Sequence, residues 1–167
     1  MNDERFMEKA LEAAHRALGM GEFPVGCVMV YEDKVLVTGA RQHSLPQSQN
    51  ELDHAEMLAL RRLIDLGERI DRPKVTLFST LEPCLMCYAA LIVNGIRNIV
   101  YAYEDVLGGG TALDLTSLNP FYRDMEVSIV SGVLRYESVL LFKQFFSDPR
   151  HEYLRDSLLA THAMSQP

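Results

Sequence analysis

Two short segments of this chain contain residue types that can hold a catalytic metal ion. His54 and Glu56 are separated by one residue, Ala55, and Cys84 and Cys87 follow about thirty residues later. A catalytic zinc ion usually has three His, Cys or carboxylate ligands and one position for water, whereas a structural zinc site is closed by four protein ligands. No fourth Cys or His lies near these segments in the sequence. We therefore expect one zinc ion per chain, held by His54, Cys84 and Cys87, with water or hydroxide as its fourth ligand.

The position of Glu56 indicates what such a metal site would do. Bound zinc lowers the pKa of its water toward neutrality. Glu56 lies in the first turn of the helix predicted to begin at His54, so its carboxylate can move protons from this water to a ring nitrogen and then to a departing amine. These groups suit hydrolytic removal of an exocyclic amine from a heteroaromatic ring, with release of ammonia. The order H-x-E and then P-C-x-x-C is the pattern of zinc-dependent base deaminases.

Each half of the pattern also has an ordinary interpretation. A Cys-x-x-Cys pair alone is equally typical of a redox pair or of a structural zinc knuckle. A His-x-Glu pair near a helix start is most often a surface feature. The combination, in this order and at two predicted helix starts, favours the enzyme. The alternative is a non-enzymatic zinc module, which would need a fourth protein ligand and would give Glu56 no role.

The surrounding pattern predicts the elements that position these residues. Apolar spacing and end signals predict helices over residues 3–19, 54–66, 84–93, 136–146 and 150–160. The last few residues of the chain are expected to be frayed. Apolar and β-branched runs predict strands over residues 24–31, 34–39, 75–79, 97–102 and 126–130. Residues 41–53 are predicted to be a polar loop, and residues 108–110 a flexible one. The alternation of strands and helices favours an α/β domain with three layers, in which helices cover both faces of one sheet.

Composition narrows the classes of protein that fit. The 167 residues suit one domain, and no apolar run approaches the length of a membrane span, so we expect no membrane partner. Two of the three cysteines are in the ligand motif, and the third, Cys27, is in an apolar strand. No disulfide framework is implied, which favours a cytoplasmic location. The net charge of −7 argues against a strongly basic nucleic-acid binder.

Beyond the ligands, most of residues 3–147 resembles the cytidine deaminase superfamily. The resemblance is greatest to the bacterial tRNA adenosine deaminases, followed by guanine and cytosine deaminases. It rests on residues 22–28, on residues 80–92, on Asp105 with the glycines at 108–110, and on the pair Phe145-Phe146. It implies a three-layer α/β/α fold with a mixed sheet of about five strands and a homodimer. It also divides the chain into a deaminase domain, residues 1–147, and a C-terminal helical extension of the same domain, residues 148–167.

The same resemblance implies substrate contacts. The backbone of Ala55 would lie against the target base, and Asp105 and Phe145 would also contact the substrate. Where the family usually has a substrate-binding Asn, this chain has Arg41, and the loop that follows is slightly longer. A guanidinium has only donors, so Arg41 would suit a carbonyl, phosphate or carboxylate group. The basic tail often found in relatives that act on tRNA is absent from residues 147–167.

Two classes of substrate therefore compete. Overall resemblance favours an adenosine in a tRNA anticodon loop. The acidic charge, Arg41 and the absent tail favour a free base, nucleoside or nucleotide in salvage or catabolism. A polynucleotide cytidine deaminase also fits the motif, but the sequence has no Trp and lacks the basic, aromatic-rich channel expected for single strands.

Overall fold

A mixed sheet forms the centre of this computed structural model, which describes residues 2–67 and 69–167. Within those residues it has five strands in the spatial order β2-β1-β3-β4-β5. They are β1 (Gly26–Tyr31), β2 (Lys34–Ala40), β3 (Thr76–Leu81), β4 (Asn98–Tyr103) and β5 (Ser128–Ser131). β1 is antiparallel to both β2 and β3, whereas the β3–β4 and β4–β5 pairs are parallel. The predicted mixed sheet and all its strands are confirmed.

Helices cover both faces of this sheet. They are α1 (Asp3–Gly19), α2 (Ala55–Asp65), α3 (Leu85–Val93), α4 (Pro120–Arg123), α5 (Arg135–Ser147) and α6 (Leu158–Ser165). Single 3-10 turns occur at Arg72–Lys74 and Leu115–Ser117. In the described residues, 2–67 and 69–167, no helix is both long and apolar enough to span a membrane.

Side-chain alternation along β1 explains the layers. Successive strand residues point to opposite faces. Val28 and Val30 therefore pack with Phe6 and other α1 residues in one apolar cluster. Cys27 and Met29 point the other way and belong to the cluster that contains the buried residues of α2 and α3. β3 is buried along its whole length, as expected for a central strand with helices on both faces.

The buried face of α2 differs in part from the expected one. The sequence predicts that Met57, Leu58, Leu60, Leu63 and Ile64 face the core. Leu60 and Leu63 are buried, but Ile64 is exposed and the first two are only partly covered. The small residues Ala55 and Ala59 face the sheet instead. Their size lets the helix approach the strands closely, which large side chains on that face would prevent.

The predicted helix over residues 150–160 is wrong in position. Residues 150–157 form turns, and α6 begins only after Ser157, whose hydroxyl caps the helix by accepting from the Ala160 N–H. The expected fraying of the last few residues is not seen, because α6 extends to Ser165 and the Gln166 side-chain oxygen accepts a hydrogen bond of 2.8 Å from Arg135. Leu159 and Ala163 are buried in the main core, and His162 lies 2.7 Å from the Tyr103 hydroxyl. The weak periodicity of this segment hides the contacts that hold it.

Gly39 sets the distance between β2 and the start of α2. A Cβ atom on Gly39 would lie 2.0 Å from the carbonyl oxygen of Ala55. We predict that Gly39→Ala costs about 1–3 kcal/mol of folding stability and lowers Tm by roughly 3–10 °C, because backbone must move to relieve the overlap. Activity should also fall, since Ala55 lies between His54 and Glu56.

Thermal unfolding followed by circular dichroism measures this effect. Gly19→Ala is the matched control, because a Cβ atom there meets nothing within 4 Å. An unchanged Tm in Gly39→Ala would contradict the role given to this close approach.

Candidate active site

The structure brings the three predicted zinc ligands together at two helix starts. His54 is the N-cap residue of α2, Cys84 is the N-cap residue of α3, and Cys87 is in the first turns of α3. His54 Nδ1 lies 3.5 Å from the Sγ atoms of both cysteines. All three ligand atoms lie within 4.8 Å of one another. One nitrogen and two sulfur donors at this spacing fit a zinc ion that keeps its fourth position for water.

The local electrostatics favour the metal-binding form of Cys84. Hydrogen bonds from Cys87 and His54 lower the pKa of the Cys84 thiol to about 4, against the opposing effect of burial. The N-terminus of α3 also stabilises negative charge. Cys84 is therefore ready as a thiolate, which is the form that binds metal.

Glu56 lies beside this cluster with its side chain turned inward. It is 3% exposed, and its Oε1 accepts a hydrogen bond of 2.9 Å from the Ser79 hydroxyl. Its Oε2 lies 3.6 Å from Cys87 Sγ. Burial raises the pKa of the Glu56 carboxyl above its ordinary value. A raised pKa suits a group that must both take up and release a proton near neutral pH.

A cavity opens directly onto these groups. His54, Glu56 and Cys84 form part of its wall. Three of the four predicted substrate-contact residues also line it: Arg41, Ala55 and Asp105. Apolar walls with a few polar groups are typical of sites for flat organic ligands. The apolar part of this wall comes from Phe23, Val25, Leu81, Leu154 and Leu159.

Phe145 is not part of the cavity wall, which corrects the expectation that it contacts the substrate. Its side chain is buried, with ring centroids 5.2 Å from Phe23 and 4.2 Å from His151. Phe23 does line the cavity. Phe145 therefore supports the wall from behind, which a match of aromatic residues in sequence could not distinguish from direct contact.

Arg41 is a buried cation in the cavity wall. Its side chain is only 2% exposed. One terminal nitrogen donates to the Gln42 carbonyl, and the other lies 3.3 Å from the Glu51 carboxylate. The guanidinium carbon also lies 5.5 Å from the centre of the Tyr153 ring. These neighbours hold the charge in place, and neither Glu51 nor Tyr153 was singled out from the sequence.

The glycine loop at residues 108–110 is tied down rather than free, contrary to expectation. The Glu82 carboxylate accepts hydrogen bonds from the Asp105 N–H at 3.1 Å and from the Thr111 hydroxyl at 2.5 Å. A Cβ atom on Gly109 would lie 2.4 Å from the same carboxylate. The glycine thus permits a close approach that fixes Asp105 at the cavity, where burial raises the pKa of its carboxyl.

Comparison with known proteins agrees with this geometry. Residues 1–103 match the model of the cytidine and deoxycytidylate deaminase zinc-binding region. The chain belongs to this deaminase family. A tRNA-specific adenosine deaminase of Bacillus subtilis is 34% identical over 151 residues, which are 89% of this chain and 91% of that protein. A tRNA-specific adenosine deaminase 2 of Danio rerio is 31% identical over 168 residues, and the match covers 93% of this chain and 78% of that protein.

Solved structures of other deaminases share the fold. One, from work on tRNA:A34 deaminases that edit the wobble position, superposes with a TM-score of 0.66 at 29% identity, over 82% of this chain and 98% of its own. A guanine deaminase from Nitrosomonas europaea superposes with a TM-score of 0.63 at 20% sequence identity, and the match covers 85% of this chain and 83% of that chain. This deaminase is thus a zinc-dependent hydrolase that removes the exocyclic amine of a nucleobase.

The cysteines of the deaminase allow a direct test of its metal site. We predict that Cys84→Ala abolishes stoichiometric zinc binding, because two remaining ligands hold zinc weakly. Cys27→Ala should keep one zinc ion per chain, because Cys27 is fully buried in the core and lies outside the ligand cluster. Zinc content after dialysis, measured by atomic emission, separates the two. Equal zinc loss in both variants would show that folding, not ligation, was affected.

Proposed function

We propose that this deaminase converts adenosine to inosine at the wobble position of a tRNA anticodon loop. The main support is the similarity to tRNA-specific adenosine deaminases over nearly the full length of both chains. The target base would be turned out of the loop and placed in the cavity. Because the net charge is −7, we expect contact with tRNA through a local surface rather than through the whole protein.

In this proposal His54, Cys84 and Cys87 hold the zinc ion and Glu56 moves the protons. Bound zinc supplies the Lewis acidity that makes water a nucleophile at neutral pH. Glu56 takes a proton from the water and delivers it to the ring nitrogen next to the reacting carbon. It then takes the second proton from the hydroxyl group that has added to the ring carbon and delivers it to the amine, and the carbon–nitrogen bond breaks to release ammonia. The Ser79 hydroxyl fixes the orientation of Glu56 during these transfers.

The remaining cavity residues orient the base. Ala55 lies between a zinc ligand and the proton carrier, so its backbone can lie against the edge of the ring. Arg41 would donate hydrogen bonds to a carbonyl or phosphate oxygen. Asp105 would accept from an amine or hydroxyl group of the substrate. Tyr153 and Leu154 also line the cavity. This supports the assignment of residues 148–167 to the same domain as residues 1–147.

A small-molecule substrate is the second candidate. The observation that favours it is the buried guanidinium of Arg41 in the cavity wall, which suits an anionic or carbonyl group on a free base or nucleotide. The acidic net charge also favours a small-molecule substrate over a polyanionic one.

Ammonia release by the zinc-loaded protein decides between them. The substrates are an anticodon stem-loop with adenosine at the wobble position, and adenine, guanine, cytosine and their nucleosides and nucleotides. Turnover of the stem-loop alone, falling steeply with added salt, supports the proposal. Turnover of a small molecule alone contradicts it and supports the second candidate.

Glu56→Gln tests the mechanism for either substrate. We predict that this variant keeps one zinc ion per chain but loses about 10²–10⁴-fold in turnover, because an amide cannot transfer the protons. Glu12→Gln, which changes an exposed carboxylate on α1, is the control and should behave as wild type. Unchanged turnover in Glu56→Gln would exclude the proposed role.

We also propose that the deaminase is a homodimer in the cytoplasm. The thiolate ligands suit a reducing compartment. Large apolar side chains are exposed on the neighbouring helices α2 and α3, namely Ile64, Leu85 and Val93. Exposed apolar patches of this kind mark interaction surfaces. Sedimentation equilibrium should give twice the chain mass, and Leu85→Glu should give the monomer. A wild-type protein that sediments as a monomer would contradict the dimer.

A further inference from the structure

Glu51 connects three parts of the chain that are distant in sequence. Its Oε2 atom lies 3.3 Å from Arg41 at the end of β2 and 3.3 Å from His54 Nε2 at the start of α2. The same oxygen accepts a hydrogen bond of 2.8 Å from the Tyr153 hydroxyl in the C-terminal segment. Glu51 does not line the catalytic cavity. Any effect on the reaction must therefore pass through one of these neighbours.

The two ring nitrogens of His54 face different partners. Nδ1 faces the sulfur atoms of Cys84 and Cys87, so it is the nitrogen available to a metal. A metal-binding nitrogen has no proton, so the proton of the neutral ring must be on Nε2. Nε2 faces Glu51, and it can donate that proton to the carboxylate. A carboxylate on the far side of a metal-binding histidine fixes the tautomer and the direction of the ring.

We propose that Glu51 is a positioning residue, which holds His54 in the tautomer and orientation that bind zinc and anchors this arrangement to Tyr153. The inference rests on the proposed role of His54 as a zinc ligand, but not on the identity of the substrate. The loop between β2 and α2 then has a definite function, because it places a carboxylate three residues before the ligand.

A purely structural role for Glu51 makes a different prediction. Its side chain is 55% exposed, but the Arg41 side chain that it faces is only 2% exposed. In a purely structural role, loss of Glu51 would lower Tm, because a buried cation would lose its carboxylate partner, and would leave the zinc affinity of the folded protein unchanged. Loss of the partner of a metal-binding histidine typically weakens metal binding about 10–100-fold. Zinc affinity thus separates the two roles.

The test measures zinc affinity of the full chain by competition with a chromogenic chelator. Glu51→Ala removes the acceptor and should weaken zinc binding about 10–100-fold. Glu51→Gln keeps a neutral acceptor oxygen and should recover most of the affinity. Glu152→Ala is the matched control, since it removes an exposed carboxylate next to Tyr153 and should bind zinc as wild type does.

Long-range ¹H–¹⁵N spectra of the zinc-loaded protein give a second readout. Wild type and Glu51→Gln should show His54 protonated at Nε2 with a slowly exchanging proton, and Glu51→Ala should lose that slow exchange.

Zinc affinity of Glu51→Ala within twofold of wild type would overturn the proposal. So would an equal loss in Glu152→Ala, which would indicate an effect of charge alone. If Glu51→Ala does not fold, Tyr153→Phe carries the test, because it removes the anchor of Glu51. Weaker zinc binding and faster exchange at Nε2 in Tyr153→Phe than in wild type would support the proposal, and wild-type values would overturn it. A wild-type chain that binds no zinc would contradict the proposed function itself.

Discussion

The structure depends on two helices that begin at the same point beside the central sheet. α2 and α3 present their N-cap residues, His54 and Cys84, to each other, and neither N-cap side chain is used to cap its own helix. The side chains are therefore free to meet around a metal. The close contact between Gly39 and Ala55 fixes one helix against β2, and the β3 strand leads directly into the other. Because zinc ligation tolerates shifts of only a few tenths of an ångström, the packing of both helices is part of the catalytic site.

The negative charges around the ligand cluster favour a bound cation beside the carboxyl groups of Glu56 and Asp105. Cys84 is readily ionised, and its negative charge contributes to the raised pKa values of both Glu56 and Asp105, after the larger effect of burial. Several acidic groups thus converge on one largely apolar cavity. His54, Cys84 and Cys87 would hold a divalent cation there, and its charge would offset this repulsion.

Sequence patterns predict the helices and strands, which have a regular apolar periodicity, and the metal ligands, which have characteristic residue types and spacing. The strands, α1, α2, α3 and α5 follow from apolar spacing, and the ligand cluster follows from residue type and order. The contacts that complete the site could not be found this way. Ser79 meets Glu56 across 23 positions, and Tyr153 meets Glu51 across 102. Neither pair has a spacing that any regular element would produce. The position of α6 was missed for the same reason, because it is held by Tyr103 and the core rather than by its own periodicity.

Arg41 shows how contacts between distant segments of the chain can hold a charged side chain in the cavity wall. Arg41 brings a full charge into the cavity wall, which is costly unless the charge is paired. The pairing comes from Glu51, in the loop between β2 and α2, and from the ring of Tyr153, in the C-terminal segment. Three segments that are separate in sequence are therefore one unit in space. A change to any one of them alone would leave a buried cation or an exposed acceptor without its partner. The position of the Arg41 charge in the cavity wall is consequently a property of the whole unit, because no single neighbour fixes it alone.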